Sequence, residues 1–99
     1  MTKSKTTATI SAENTFSDPI KVARGYLLGL SGTWVATVTM QLSFDNSTWL
    51  DITDENGTAI AITSNGTYLG NLVDYEVYVR WGVKTGNYTS GSAVGNLVG

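Results

Sequence analysis

Between positions 34 and 44 the chain alternates without a break. Trp34, Ala36, Val38, Met40, Leu42 and Phe44 share one face, and Val35, Thr37, Thr39, Gln41 and Ser43 share the other. Period two belongs to an extended strand, whose successive side chains point to opposite sides. Apolar on one side and mostly polar on the other predicts a sheet with one buried face. The pattern returns at 75–84, with Tyr75, Val77, Val79, Trp81 and Val83 on the apolar face and Glu76, Tyr78, Arg80, Gly82 and Lys84 opposite. Each of these strands gives its apolar face a Trp. The two rings are expected to anchor the core, where each ring N–H needs an acceptor.

Shorter strands are predicted at 8–10, 20–22, 26–30, 49–52, 59–62 and 93–98. Turn signals separate them: Ser17-Asp18-Pro19, Ser31-Gly32, Asp45-Asn46-Ser47, Asn56-Gly57, Asn65-Gly66, Thr85-Gly86-Asn87 and Ser90-Gly91. Apolar residues at helical spacing are missing, and no internal repeat or low-complexity segment interrupts the pattern. Seven or eight short strands so spaced predict an all-β fold, a small antiparallel β-sandwich of immunoglobulin-like or jelly-roll-like type. A chain of 99 residues fits one such domain. The polar start, Met1 to Thr7, reads as a flexible arm at 1–7, leaving 8–99 for the sandwich.

Composition narrows the chemistry. The sequence has no Cys and no His, which removes disulfides, thiolate nucleophiles, zinc knuckles and the commonest general base. A formal net charge of −2 with only 14% charged residues lacks the basic footprint of a nucleic-acid binder and the polybasic patch of a membrane-surface protein. No apolar run is long enough to span a bilayer, and none near the N-terminus has the form of a signal peptide. The expectation is a soluble product made in the cytosol.

Few residues invite a site. Asp45, Asp51, Asp54 and Glu55 fall within eleven positions, and clustered carboxylates suit calcium or a glycosidase pair. Their order does not match an EF-hand loop, so solvated turns are the default reading and no metal or cofactor is assigned. Sequons at Asn46, Asn56, Asn65 and Asn87 coincide with tight-turn positions. Tyr26, Tyr68, Tyr75, Tyr78 and Tyr88 could supply a sugar- or protein-binding platform. No nucleophile–base–orienter set can be assembled, so an enzyme is not expected. By strand alternation Tyr78, Arg80 and Lys84 face outward as candidate partner contacts, joined by Thr2, Lys3 and Lys5 of the arm.

Two longer stretches resemble a known family. One is Ser31-Gly32-Thr33-Trp34-Val35-Ala36-Thr37-Val38-Thr39-Met40-Gln41-Leu42-Ser43-Phe44-Asp45, leading into Thr48-Trp49-Leu50-Asp51-Ile52. The other runs from Tyr78-Val79-Arg80-Trp81-Gly82-Val83 through Lys84-Thr85-Gly86-Asn87-Tyr88-Thr89-Ser90-Gly91. With Asn14-Thr15-Phe16-Ser17-Asp18-Pro19-Ile20 they resemble small β-sandwich virion proteins encoded by tailed bacteriophages. The resemblance implies a structural virion protein: a capsid decoration (cement) protein bridging major capsid subunits on the outer head surface, or a neck or tail component. It also implies the phage major capsid protein as partner, self-association such as a trimer, and a location on the capsid surface after synthesis in the host bacterial cytoplasm. A carbohydrate- or receptor-binding module is the rival class. Ser43-Phe44-Asp45-Asn46-Ser47-Thr48-Trp49 further resembles an Asp-box, one residue shorter and with Ser where Gly is usual. The Asp-box is a folding element and implies no sialidase activity.

Overall fold

The computed structural model describes residues 4–54, 56–72 and 76–99. Seven strands follow one another: β1 (Lys5–Ile10), β2 (Thr15–Phe16), β3 (Ile20–Val22), β4 (Gly25–Ser43), β5 (Leu50–Asp51), β6 (Gly66–Asn71) and β7 (Val77–Val98). Every pairing between them is antiparallel. The result is a small all-β sandwich, as the alternation predicts.

Its two layers are halves of one continuous sheet. The two long strands, β4 and β7, pair with each other nearly end to end, from Leu27↔Val98 to Ser43↔Tyr78. In the first layer the order is β1, the end of β7, the start of β4, and β6. In the second it is β3 and β2, the start of β7, the end of β4, and β5. Between the layers the register breaks twice. Thr89 is an extra residue opposite Val35-Ala36, and Lys84, Thr85, Gly86 and Asn87 together oppose Thr37 alone. Bulges of this kind bend and twist a strand, and here they carry both strands from one layer to the other.

This accounts for a difference from the sequence reading. Thr85-Gly86-Asn87 and Ser90-Gly91 read as chain-reversing turns but lie inside β7. Gly86 and Gly91 do take the positive φ that a turn would use, at 86° and 85°. The same left-handed backbone serves a bulge equally well. Ser31-Gly32 likewise lies inside β4. The strand expected at 59–62 is reduced to two bridges, Thr53↔Ala59 and Val38↔Ile62. Residues 5–7, expected in the arm, belong to β1, and Ser4 exchanges backbone hydrogen bonds with Gly99.

The inward residues close into one core that includes Ile10, Leu28, Met40, Val79, Trp81 and Leu97. Full burial of such side chains contributes roughly 1.5–3 kcal/mol each. Trp81 is completely buried and lies against Gly95 of the opposite layer, where an added Cβ would sit 2.3 Å from the indole. Gly95 is therefore the recess into which the ring fits. The indole Nε1–H of Trp81 has no hydrogen-bond partner among the described residues, contrary to the expected acceptor. Trp34 is half-buried at the core's margin and donates to Asn65 Oδ1 at 2.7 Å. Phe44, expected inside, is 65% exposed, because β4 ends at Ser43 and the chain turns away.

Candidate functional site

Outward residues of the second layer form a connected cluster, and two of the expected contact residues, Arg80 and Lys84, lie within it. Arg80 and Gln41 are cross-strand partners on β7 and β4, and Gln41 is in turn opposite Asp51 on β5. Antiparallel register thus places three polar side chains in one row. The Nε and Nη2 groups of Arg80 donate to Gln41 Oε1 at 3.0 and 2.7 Å. Gln41 Nε2 donates to Asp51 Oδ1 at 3.0 Å, and Lys84 Nζ donates to Asp51 Oδ2 at 2.6 Å. The Lys84 ammonium and the Gln41 amide hold the Asp51 carboxyl below its ordinary pKa.

Two rings enclose the guanidinium. Its central carbon is 4.2 Å from the ring centroid of Phe16 and 4.2 Å from that of Trp49. A planar, weakly hydrated guanidinium is the cation best suited to lie between aromatic faces. Burial pushes the Arg80 pKa down from its ordinary value. Phe16 reaches this position because β2 lies directly beside β7, with Phe16 opposite Gly82. A Cβ on Gly82 would fall 2.4 Å from both the Phe16 ring and the Thr15 carbonyl oxygen. Beyond β2, Ser17 locks the connection to β3: its N–H donates to the Trp81 carbonyl at 2.8 Å, and its Oγ accepts from the Trp81 N–H at 3.2 Å.

Trp49 is delivered by the turn after β4. Asp45 Oδ1 accepts the N–H groups of Ser47 and Thr48 at 2.9 and 2.8 Å and the Ser43 hydroxyl at 2.8 Å. These bonds lower the Asp45 pKa to about 2, the Thr48 N–H having the largest effect. Asn46 takes the left-handed conformation, φ 59°. The turn resembling an Asp-box therefore closes on its own carboxylate. Asp54 does the same for the next turn, accepting from the N–H groups of Asn56 and Thr58 at 2.9 and 3.0 Å. Asp45, Asp51 and Asp54 are each engaged within the chain, and among the described residues no acidic group of three or more converges on a metal position. Glu55 lies outside the described residues.

Tyr78, the remaining outward residue of β7, is half-buried, with the Lys21 ammonium 5.5 Å from its ring centroid. The outward direction inferred for Tyr78, Arg80 and Lys84 holds, but all three are half-buried and engaged inside the chain. Lys5 is exposed on β1, and Thr2 and Lys3 lie outside the described residues. Of the tyrosines, Tyr26 is buried, Tyr68 donates to the Ser64 carbonyl at 2.6 Å and Tyr88 to the Gly91 carbonyl at 2.9 Å. Tyr26 and Tyr68 lie on the paired strands β4 and β6, both packed at the core; Tyr75 lies outside the described residues.

The first layer presents a different outer face. Its register sets Lys5, Val98, Leu27 and Leu69 side by side across four strands. The next row is Thr7, Asn96, Gly29 and Thr67. Leu27 and Leu69 are exposed, Leu69 by 73%. The sequence had no local signal for this row, because it depends on four segments far apart in the chain. Comparison with protein-family models, curated proteins and solved structures finds no match.

Proposed function

We propose that the chain is a structural protein of a tailed-bacteriophage virion, a decoration protein that binds the outer capsid surface and bridges major capsid subunits. The observation supporting it is the Lys5–Val98–Leu27–Leu69 row, which carries one charge and two exposed leucines. Protein interfaces are depleted of charge at their centres and rely on apolar contact there. A small domain with one such face makes modest contacts per copy, and many copies on a repeating lattice add them together. The sequence resemblance supplies the virion setting. This reading takes the contact surface away from Arg80 and Lys84, whose bonds are already made within the fold.

The test is to mix the purified protein with phage heads lacking it and count bound copies per head. Saturation at on the order of hundreds of copies, with a raised temperature of head rupture, is the expected result. Leu27→Asp should lower the occupancy while leaving the circular dichroism unchanged. Binding confined to a dozen sites or fewer would transfer the protein to the neck or tail. No binding to any virion part would end the virion reading.

A further inference from the structure

We propose that β6 is the pairing edge for a second copy of this chain, forming a two-fold dimer in which the first layers of both copies become one continuous sheet. The inference stands on the backbone of β6 and does not depend on the virion reading.

One side of the β6 backbone pairs with no strand among the described residues. Leu72 N–H donates to the Arg24 carbonyl at 2.7 Å, just beyond the paired stretch Gly25↔Asn71 to Leu30↔Gly66. In an antiparallel ladder a residue's N–H and C=O point to the same side, and the side alternates along the strand. Leu72, Gly70 and Tyr68 therefore face β4. Thr67, Leu69 and Asn71 direct their N–H and C=O groups away from it, and no strand pairs with that side among the described residues.

Sheet edges are ordinarily blunted by charge, proline, bulges or shortness. The second layer follows that rule: its edges are two- and three-residue strands, with Pro19 between β2 and β3. In the first layer β1 carries Lys5. Among the described edge strands, only β6 lacks these devices. It is six residues long, Gly-Thr-Tyr-Leu-Gly-Asn, without charge or proline.

The strand also fits itself. Centred on Leu69, antiparallel pairing sets Leu69 against its copy and Thr67 against Asn71, giving about six new backbone hydrogen bonds. On the outer face the two exposed leucines cover each other. On the inner face each Tyr68 falls opposite a Gly70, whose inner side is covered by the ring of Tyr26. An isologous contact requires this kind of self-complementarity. The chain carries a net −2, and its copies approach through this strand without meeting like charge. A charged partner segment would find nothing on β6 to pair with. The same edge borders a cleft of about 460 Å³, lined by Tyr26, Ile52, Ile60, Leu69 and Leu72.

The full chain is tested by sedimentation equilibrium across a concentration series, with single-cysteine variants to read the register. The wild type should approach twice the chain mass as concentration rises. Leu69→Lys, which sets two ammonium groups together on the axis, should stay monomeric at every concentration, with unchanged circular dichroism. Because the chain has no native Cys, Leu69→Cys should oxidise to a covalent dimer. Thr67→Cys should not, since the two copies of residue 67 would be roughly 14 Å apart, beyond disulfide reach. A monomeric wild type throughout the series, a Leu69→Lys variant that still dimerises, or equal cross-linking at 67 and 69 would each overturn the assignment.

Discussion

The two outer faces of this sandwich start from the same alternation and finish differently. On the second layer every second residue of β7 points outward, as the sequence indicates, and each then acquires a cover or a counter-charge. Phe16 and Trp49 enclose Arg80, Gln41 and Asp51 take its row, and Lys84 closes the end. On the first layer the outward row of Val98, Leu27 and Leu69 meets no covering segment among the described residues. The lesson is that outward direction and availability are separate properties. Charged residues that look like contacts can be consumed by the fold, while the surface left for other molecules can be the plain one.

Stripping the cover should give the largest effect. Gly82→Val forces a side chain into the Phe16 ring and the Thr15 carbonyl and should lift β2 from β7. A loss of 3 kcal/mol or more is expected from overpacking combined with a detached strand, to order of magnitude (~3). Urea unfolding measures it; a loss under about 1 kcal/mol would show that Phe16 is not fixed against β7.

Arg80→Ala should follow, at about 2–3 kcal/mol, because it removes two cation–π contacts and leaves Gln41 Oε1 without its donor. Arg80→Lys should recover less than half, since an ammonium cannot donate in the same fork while lying flat between two rings. Equal stability of the Lys variant and the wild type, in the same urea series, would reduce the cluster to simple charge.

The third effect depends on pH. Asp45 titrates near 2 in the folded chain and near 4 when unfolded. A depressed folded pKa gives stability that is complete above the unfolded value and is lost as pH falls through the folded one. The wild type should therefore weaken between about pH 4 and pH 2. Asp51, shifted the same way, adds to that slope. Asp45→Asn should be less stable than wild type at pH 7 and converge on it near pH 2. Thermal melts across that interval decide, and parallel curves with a constant gap would show that the Asp45 charge is not the cause.

Smallest of all should be Leu27→Thr on the open face, within about 0.5 kcal/mol of wild type. A loss above about 1.5 kcal/mol, read from urea unfolding, would mean that this face is packed in the folded chain and would erase the contrast between the layers.

Much of the fold was legible because alternation is local. The strands around Val38–Met40 and Val79–Val83, and the side on which Arg80 and Gln41 emerge, follow from period two alone. Connectivity was not, since glycine at positive φ marks a turn and a bulge with the same residue, and only the partner strand distinguishes them. Gly86, inside the wide bulge, and Gly91, two residues beyond the extra Thr89, read as turns for that reason. The candidate cluster was half legible. Its members on β7 could be placed on the outer face, but Phe16 and Trp49 arrive from other segments, and no spacing in the sequence ties them to Arg80. A hint lies at Gly82, a residue without a side chain in the otherwise filled stretch 77–84, which often signals close approach by another backbone.

The pairing of Ser4 with Gly99, next to Lys5 with Val98, has a mechanical consequence. These residues sit at one end of an antiparallel pair, so tension applied between them peels β1 from β7 one rung at a time, like opening a zip. The bonds break in sequence and share no load. A single-molecule pulling experiment attached at these two positions should meet little resistance before β1 comes away. Force entering instead through the long β4–β7 pair, along its length, would have to break many rungs together.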